Sequence, residues 1–570
     1  MQQFTREQVR EMTKLAKASP LQDDIFMFFW NELQKYAAGQ STQSLMVQAV
    51  AGSGKTTTIV AAARLIKLGY RALFLAFNKS IATELQQRLP RHIEAKTLNA
   101  LGFAMWTRYY RGVHRGSVEL KAFKTNEVLR NLFSKEEIKA YGDDVRFLVG
   151  MCKSMGLTPA GIQGVEPING NYVTPESLLD ICHHFGRNVE VPNRPTVFRM
   201  VEDVLRASLS TESVIDFDDQ KYMSVVKRPG GSPIPADKYD VIIIDEVQDV
   251  NAVDMALIKM SLKPKGIVIG VGDSNQAIYG FRGADTRSVE NFKAAFNAQQ
   301  LPLSITYRCG TEIVKLAQTL VPSIQAAPDA KAGEVKDLGV VASSTFQPND
   351  LIICRNNAPT ISYAFKLIRD RVKVVVRGRD IGKNLIALIE RLVAQDVWVD
   401  NPRQPGKKMP AKSVEGVSVK TLVEQVKAWA EQQIALIKKD NPDDEAAVQK
   451  IDDLSQSILV FTEANTDDKV TSVVADIQKL FDTTGKDEDG TPVGAVVLST
   501  VHKAKGTEAD RVFILDQHLF FPRYVQRGTW QWDQETNLVY VAYTRAKDLL
   551  AFIDSEEESK GARHEKSEDL

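Results

Sequence analysis

The sequence predicts an α/β protein with two parallel-sheet cores, each interrupted by a mainly helical insert. Short apolar runs without polar alternation recur along the 570 residues, and helical stretches separate them. Such runs are typical of parallel strands that are covered on both faces, and their alternation with helices indicates α/β layers. The strand candidates are residues 72–77, 241–244, 266–271, 351–354, 372–376, 495–498 and 512–515.

The strand candidates fall into two groups, and stretches of mainly helical character interrupt each group. The first interruption is rich in basic and aromatic residues, and the second is charged. The simplest division therefore has seven segments. They are 1–100 (start of the first core), 101–210 (first insert), 211–300 (remainder of the first core), 301–395 (start of the second core), 396–490 (second insert, reduced), 491–553 (remainder of the second core) and 554–570 (a polar, disordered tail).

Composition restricts the class of protein. The chain is too long for one hydrophobic core, and 44% hydrophobic with 25% charged residues fits a globular protein. The 72 basic and 72 acidic residues cancel, so contact with nucleic acid would depend on local basic surface. The four cysteines form no C-x-x-C pair, which argues against zinc or iron–sulfur sites and favours a reducing compartment. The start lacks an apolar signal core, and no run of 18 apolar residues occurs, so we expect a cytoplasmic protein without a membrane partner.

A glycine-containing loop lies between an apolar run and a helical stretch. It reads Ala49-Val50-Ala51-Gly52-Ser53-Gly54-Lys55-Thr56, with Thr57 beginning the helical stretch. The glycines allow successive N–H groups to face one anion, and the start of the helix adds its positive dipole end. Lys55 is placed to reach β- and γ-phosphates and Thr56 to hold Mg²⁺. Ala49 occupies a position where the simple phosphate-loop pattern has glycine, and a chance glycine turn is the alternative.

Two acidic residues follow a second apolar run. Four β-branched residues precede Asp245 and Glu246, and ligands of open α/β sheets bind at the carboxyl ends of strands. Asp245 is suited to hold Mg²⁺, and Glu246 to orient and deprotonate the water that attacks the γ-phosphate. Taken alone, the segment could also be a solvated acidic turn.

A polar and aromatic loop follows a third strand candidate. Gln276 lies near the strand tip, where a glutamine can sense a phosphate. Tyr279 and Phe281 flank Gly280 beside Arg282 and offer a platform for unstacked bases. A loop with ordinary core aromatics is the alternative.

These motifs, in this order, resemble those of superfamily 1A DNA helicases of the UvrD/Rep/PcrA type. The segment Ala76-Phe77-Asn78-Lys79-Ser80-Ile81-Ala82 is also similar to that of F-box DNA helicases. The resemblance covers roughly residues 20–115, 210–310 and 350–550. It implies two RecA-like cores, ATP and Mg²⁺ as cofactors, and movement on DNA.

The resemblance assigns nucleotide contacts to residues outside the phosphate loop. Gln22 matches an adenine-reading glutamine, Tyr307 a residue that stacks on adenine, and Glu508 a ribose contact. Arg308 and Arg545 match arginines directed at the γ-phosphate, Arg545 as an arginine finger, although either arginine alone would sooner be taken for a surface ion pair. Because the phosphate loop and the arginines lie in different predicted cores, the family implies closure of both cores around ATP.

The resemblance also assigns DNA contacts. The matching positions are Phe77, Asn78, Lys79, Thr97, Tyr279, Phe281, Arg282, Thr500 and His502. Asn99 replaces a usual histidine, and Phe281 replaces the tryptophan of many relatives. Trp106 begins a basic and aromatic stretch, 106–115, that suits stacking with phosphate neutralisation. An ordinary helix end with a solvated basic face is equally compatible with that stretch.

The function implied is an ATP-dependent 3′→5′ DNA helicase and translocase in replication, repair or recombination. Its expected partners are single-stranded DNA and single-strand/duplex junctions, and it would act as a monomer or weak dimer, with a loading protein left open. The resemblance places it in a bacterial or virus-infected bacterial cell, associated with the nucleoid. The reduced second insert motivates a rival, a DNA-stimulated ATPase that displaces proteins or signals without strand separation.

Overall fold

The computed structural model describes residues 4–185, 189, 191–278, 288–400, 408–440, 445–481, 494–522 and 525–556. Its contacts divide the chain into two compact units, residues 1–306 and 307–570. None of the helices in the described ranges combines the length and the hydropathy that a bilayer-spanning segment requires.

The first unit is built on a parallel sheet. Among the described residues six strands form it, in the order β3-β2-β6-β7-β1-β8, and every neighbouring pair is parallel. The strands of the unit are β1 (Ser44–Ala49), β2 (Ala72–Ala76), β3 (Ile93–Thr97), β4 (Glu119–Leu120), β5 (Val214–Ile215), β6 (Tyr239–Ile244), β7 (Leu262–Gly272), β8 (Ala298–Leu303) and β9 (Ile305–Thr306). Its helices are α1 (Arg6–Thr13), α2 (Pro20–Ala37), α3 (Lys55–Ala63), α4 (Lys79–Arg88), α5 (Leu98–His114), α6 (Lys124–Leu132), α7 (Lys135–Met155), α8 (Pro175–Phe185), α9 (Arg194–Ser210), α10 (Asp219–Val226), α11 (Ala252–Ser261) and α12 (Ser288–Phe296).

Both faces of this sheet are buried. Along β6, Val241 and Ile243 enter one hydrophobic cluster, and Ile242 and Ile244 enter the other. Successive side chains of a strand point to opposite faces, so an unbroken apolar run is what a doubly covered strand requires. Because all strands run the same way, the carboxyl ends of β1 and β6 lie at one edge of the sheet.

The first insert has a hydrophobic core of its own. Helices α6 to α9 bury residues such as Leu129, Val145, Leu148 and Val201 in a separate cluster. Helix α5 differs, because its Leu101 and other buried residues pack in the cluster beneath the first sheet. The segment 98–114 thus belongs structurally with the sheet, whereas α6–α9 form a distinct helical body.

The second unit repeats the parallel-sheet plan. Six strands within its described ranges form a sheet in the order β11-β18-β17-β12-β16-β13, with parallel neighbours throughout. The strands of the unit are β10 (Gln325–Ala326), β11 (Glu334–Gly339), β12 (Leu351–Cys354), β13 (Val374–Val376), β14 (Gln395–Asp400), β15 (Lys408–Ser413), β16 (Val496–Thr500), β17 (Ala509–Leu515) and β18 (Ala546–Ile553). Its helices are α13 (Thr311–Ala317), α14 (Asn357–Arg369), α15 (Arg379–Val393), α16 (Val419–Asp440), α17 (Glu445–Ala464), α18 (Val470–Leu480), α19 (Val501–Ala504) and α20 (Trp530–Tyr543).

The second insert shares the core of its sheet. Leu422, Phe461 and Val473 from α16–α18 pack in the same hydrophobic cluster as Ile352 and Leu498 of the sheet. The predicted fold class, two parallel-sheet α/β cores with helical insertions, is confirmed. The exact limits of the seven predicted segments stay predictions.

Candidate active site

The predicted phosphate loop connects the carboxyl end of β1 to α3. Gly52 and Gly54 have φ angles of 70° and 76°, a left-handed conformation that glycine adopts without steric cost. Gly54 is the N-cap of α3 and has no side chain to accept from the first turn, so the first N–H groups of this helix remain available for an anion. Ala49, Val50 and the other non-glycine members of the loop before Gly54 are buried.

One buried hydroxyl shows that the loop fits a bound phosphate. Ser53 has no exposed surface, and its Oγ has no hydrogen-bond partner among the described residues. A buried polar group without a partner is costly, and a phosphate oxygen in the loop would accept from it. Thr57, one turn into α3, is exposed.

The two acids after β6 lie against this loop. Thr56 Oγ1 donates to Asp245 Oδ2 at 2.8 Å, and Lys55 Nζ lies 3.3 Å from Glu246 Oε2. Glu246 has a φ of 57°, an unusual value for a residue with a β-carbon that costs about 1–3 kcal/mol. The strained backbone turns the chain directly after Asp245, so that both neighbouring carboxylates face the phosphate loop.

The charges of this cluster perturb one another. Burial lowers the pKa of Lys55, but the carboxylates of Glu246, Asp273 and Asp245 outweigh it and raise this pKa above its ordinary value. Burial, followed by repulsion from Glu246, raises the pKa of Asp245 to about 6, while Lys55 opposes the rise. Lys55 is therefore a firmly charged cation among acids, which suits a site that receives phosphate charge.

Thr56 and Asp245 form a donor set that fits Mg²⁺. Their oxygens are 2.8 Å apart at the start of α3 and the end of β6. Mg²⁺ in nucleotide sites takes one or two protein oxygens and completes its shell with phosphates and water. When bound, the ion would neutralise charge on the phosphoryl oxygens.

Two residues to which the sequence motifs assign no role, Gln248 and Asp273, complete the cluster. Gln248 Nε2 donates to Glu246 Oε2, and Gln248 Oε1 accepts the Asp273 N–H at 3.0 Å. Asp273 is fully buried and accepts from Gln276 Nε2 at 2.8 Å. Gln276, the predicted phosphate sensor, is thus held at the tip of β7 beside the acids. Both additional residues lie within the predicted motif segments, but their roles depend on the turn at Glu246.

Gln22 lies beside the phosphate-loop helix. It is buried, its Oε1 accepts the Ser19 N–H at 2.9 Å, and its Nε2 donates to Thr58 Oγ1 at 2.8 Å. The side chain therefore caps α2 and joins it to α3. The amide keeps a second donor hydrogen and a second lone pair, and an adenine contact by Gln22 stays a prediction.

The predicted DNA contacts after β2 and β3 lie at the same sheet edge. Phe77 is 46% exposed, and Lys79 is exposed at the start of α4. The side chain of Asn78 caps α4 by accepting the Ile81 N–H at 2.9 Å, and Thr97 caps α5 in the same way. Phe77 and Lys79 thus offer an aromatic face and a cation to a ligand, whereas Asn78 and Thr97 shape the surface.

The structure contradicts the assignment of Trp106 to the DNA surface. Its side chain is 0% exposed and packs in the core beneath the first sheet, and its indole Nε1 donates to the Glu212 carbonyl oxygen at 3.1 Å. The Trp106 side chain faces inward because α5 packs against α10. The interleaving of basic and aromatic residues in the sequence does not predict which side of α5 packs against another helix.

An exposed aromatic residue without an assigned role is hydrogen-bonded, through its backbone, to a residue that lines a cavity with Phe77. Asn99 lines a cavity of about 390 Å³ together with Phe77 and the two acids, and Asn99 Nδ2 donates to the Phe217 carbonyl oxygen at 2.8 Å. Phe217 is 55% exposed. The sequence feature that could have pointed to Phe217 is its position between acidic residues in the segment 215–219.

Buried ion pairs hold the loop that presents Phe217. Lys153 Nζ lies 2.7 Å from Asp216 Oδ2 and 2.8 Å from Asp219 Oδ1, and Lys124 Nζ lies 2.7 Å from Asp219 Oδ2. All four charged side chains are buried. Buried charges are tolerated when they are paired. These pairs connect the first insert to Asp216 and Asp219, which lie before and after Phe217 in the sequence.

Three predicted DNA contacts, Tyr279, Phe281 and Arg282, lie outside the described residues.

In the second unit, the two predicted phosphate-directed arginines lie close together. Arg308 Nε donates to Glu508 Oε2 at 2.6 Å, and its Nη1 donates to the Thr544 carbonyl oxygen at 3.1 Å. Lys547 Nζ lies 2.9 Å from Glu508 Oε1. Burial raises the pKa of Glu508, but Arg308 and Lys547 outweigh it and hold this pKa below its ordinary value.

Arg545 is 1% exposed. Its Nε donates to the Val541 carbonyl oxygen at 2.8 Å, its Nη1 to the Thr507 carbonyl oxygen at 3.1 Å, and its Nη2 to Thr544 Oγ1 at 3.1 Å. Burial and then the Arg308 cation lower the pKa of Arg545 to about 9. The paired guanidinium groups form a concentrated positive site within the second unit.

The remaining predicted contacts of the second unit lie near strand ends. Tyr307 is exposed next to Arg308, as a stacking residue must be. Thr500 ends β16 and is buried, and His502 is half-buried in the short helix α19. Parallel strands place their carboxyl ends at one edge, so Thr500 lies at the ligand-binding edge of the second sheet.

Comparisons with known proteins match segments of both units to one protein family. The family model for the UvrD/REP helicase N-terminal domain matches residues 30–297, and that for the UvrD-like helicase C-terminal domain matches residues 403–557. Together these matches take in more than half of the 570 residues.

Similar curated proteins include three DNA helicases. ATP-dependent DNA helicase Rep of Buchnera aphidicola subsp. Baizongia pistaciae is 24% identical over 51% of this chain and 43% of its own length. F-box DNA helicase 1 of Gallus gallus is 24% identical over 90% of the chain and 47% of its own length. ATP-dependent DNA helicase UvrD2 of Mycobacterium tuberculosis is 23% identical over 91% and 77%. The chain thus spans less than half of the first two relatives. With both halves of the family matched in order, the chain belongs to the UvrD-like DNA helicase family.

Proposed function

We propose that this protein is an ATP-driven motor that moves 3′→5′ on single-stranded DNA and unwinds duplexes. The observation that carries the proposal is the cluster of Lys55, Thr56, Asp245 and Glu246, in which cation, metal-ligand oxygens and candidate base converge within hydrogen-bonding distances. The ordered match to both helicase domains supports the choice of DNA as the track.

Each residue of the cluster has a proposed task. Lys55 contacts the β- and γ-phosphates, Thr56 and Asp245 hold Mg²⁺, and Glu246 accepts the proton of the attacking water. Gln276 senses the γ-phosphate from the tip of β7. The task of Glu246 requires a carboxylate within hydrogen-bonding reach of that water, and its partial exposure leaves room for a water molecule.

The residues of the second unit are proposed to complete the chemistry. Tyr307 stacks on adenine, Glu508 contacts ribose, and Arg308 and Arg545 approach the γ-phosphate in the ATP-bound state. Arg545 has to exchange backbone carbonyl partners for phosphate oxygens, a change that charge favours strongly. An arginine finger contributes about 10³–10⁵-fold to phosphoryl transfer.

Single-stranded DNA and single-strand/duplex junctions are the proposed partners of the exposed edge. Phe77 and Phe217 supply aromatic faces, and base–aromatic stacking is tolerant of sequence. Thr500 and His502 are proposed to contact DNA in the second unit.

Phe77→Ala and Phe217→Ala are each expected to weaken single-stranded DNA binding by about 1–3 kcal/mol, because one stacked base is lost. Fluorescence anisotropy with labelled oligonucleotides would measure the change, and ATP binding without DNA should stay within about twofold of the wild-type value. Leu68→Ala is a matched control, since Leu68 is 84% exposed but precedes β2 rather than following it. A loss in the Leu68 variant equal to that of the phenylalanine variants would argue against stacking.

The proposed function is tested by ATP hydrolysis with and without single-stranded DNA, followed by unwinding of duplexes that carry a 3′ or a 5′ tail. We expect DNA to stimulate hydrolysis and only 3′-tailed duplexes to be separated. Unwinding from 5′ tails alone would reject the polarity. DNA-stimulated hydrolysis and translocation without separation of either duplex would favour the non-unwinding ATPase.

A further inference from the structure

Gln248 joins the candidate base to the neighbouring strand tip. One end of its amide, Nε2, donates to Glu246 Oε2, and the other, Oε1, accepts the Asp273 N–H at 3.0 Å. We propose that Gln248 is a positioning residue that fixes the carboxylate of Glu246 for hydrolysis and ties it to the turn that carries Gln276. The proposal rests on the function proposed above, since it concerns the same reaction.

The Gln248 side chain is enclosed and lies against Gly272. It is 1% exposed, and a β-carbon added to Gly272 would lie 2.5 Å from Gln248 Oε1 and 3.1 Å from the Val247 nitrogen. Such distances are shorter than van der Waals contact, so only glycine at the end of β7 leaves room for the amide. The left-handed turn at Glu246 points the residue two positions later back toward that glycine.

The chemistry of the two partners fixes the direction of the amide. A carboxylate only accepts, and a backbone N–H only donates. A flipped amide would place its oxygen against the Glu246 carboxylate and its NH₂ group against the Asp273 N–H, so both contacts would become repulsive. Because the Gln248 amide is uncharged, its hydrogen bond holds the carboxylate of Glu246 without neutralising the negative charge of that carboxylate.

The second bond extends this support to the predicted phosphate sensor. Asp273 holds the following turn, because its carboxylate accepts from Gln276 Nε2 at 2.8 Å and from the Asn275 N–H at 3.1 Å. A displacement of that turn moves the Asp273 N–H, to which Gln248 is bonded. The orientation of Glu246 is thereby connected to the position of Gln276 through three consecutive hydrogen bonds.

Gln248→Met removes both hydrogen bonds at nearly constant volume and tests the proposal. We expect kcat for DNA-stimulated ATP hydrolysis to fall by about 10–10²-fold, the scale of a misplaced reacting group. The KM for ATP should change little, because the phosphate loop is not altered, whereas the unfolding midpoint should fall modestly, because the buried Asp273 N–H loses its acceptor. A kcat within about twofold of wild type would overturn the proposal.

A double variant separates positioning from a general structural role. If Gln248 acts through Glu246, adding Gln248→Met to Glu246→Gln lowers the residual single-turnover rate no further. A second multiplicative loss in the double variant would show an independent effect and refute the proposal.

Gln248→Glu provides a near-isosteric second variant. It keeps an acceptor for the Asp273 N–H but replaces the amide donor with a second carboxyl group against Glu246, so we expect a loss of kcat at least as large as in Gln248→Met. Wild-type turnover in this folded variant would contradict the need for a donor. Failure of this proposal can be distinguished from failure of the proposed function. If the wild-type protein hydrolyses no ATP in the presence of DNA, the proposed function is refuted, whatever the Gln248 variants do.

Discussion

Replacing Glu246 with Gln is expected to lower ATP turnover by about 10²–10⁴-fold, the contribution typical of a positioned general base. The amide of glutamine cannot accept the proton of the attacking water, whereas its oxygen can still accept a hydrogen bond from Lys55 or Gln248. The cluster should therefore keep its geometry. Single-turnover hydrolysis of radiolabelled ATP, with and without single-stranded DNA, would measure the loss.

Binding of ATP by the Glu246→Gln protein should stay within about threefold of wild type, because Lys55, Thr56 and the phosphate loop are intact. Titration with a fluorescent ATP analogue would show this. Glu84→Gln is the matched control, since Glu84 makes the exposed ion pair with Arg88 on α4, away from the loop, and its turnover should be unchanged. If Glu246→Gln kept more than about a tenth of wild-type turnover, another group would have to be the base.

The convergence of the candidate site residues in the first unit could be predicted from local sequence. A glycine loop between an apolar run and a helix, and two acids after a β-branched run, predict one ligand-binding edge, because parallel strands end on the same side. The contact of Thr56 with Asp245 brings those two segments together as expected. That inference required only that the strands be parallel, and the alternation of strand candidates with helical stretches predicts parallel strands.

The edge strands of the first sheet could not be recognised in the same way, although β13, at an edge of the second sheet, matches the strand candidate 372–376. β3 at one edge of the first sheet is largely polar, and β8 at the other contains Pro302. An edge strand has one free side and tolerates proline and polar residues, so no apolar run marks these two strands. In the first sheet, apolar runs therefore identify the central strands and overlook their outer neighbours.

Side-chain partners far apart in sequence were also beyond prediction. Trp106 faces the core only because α10 covers that side of α5, and Lys153 pairs with Asp216 across 63 positions. Gln248 lies two residues after Glu246, but its approach to Asp273 requires the left-handed backbone at Glu246 and the missing β-carbon of Gly272. Such roles follow from three-dimensional geometry that no spacing rule contains.

Replacing Lys55 with Ala is expected to reduce hydrolysis by about 10²–10³-fold, the scale for losing one preorganised electrostatic contact to the transition state, and to weaken ATP binding as well. Lys55 is the cation that opposes Asp245, Glu246 and Asp273 in the electrostatics of the cluster. Without it, the three carboxylates would repel incoming phosphates. The pKa of Asp245 should also rise further, since Lys55 now opposes that rise.

Two comparison variants distinguish the loss of the Lys55 contact from the general effect of removing or changing a lysine. Lys263→Ala removes a lysine that pairs with the buried carboxylate of Asp240 at 2.9 Å, at the amino-terminal end of β6, and should leave turnover unchanged even if it lowers the unfolding midpoint. Lys55→Arg keeps the charge but replaces a compact ammonium with a planar fork, so we expect it to bind ATP better than Lys55→Ala while still hydrolysing it poorly. Turnover in Lys55→Ala comparable to that in Lys263→Ala would mean that the phosphate-loop lysine does not meet the transferred phosphate, and the assignment of this cluster as the ATP site would fail.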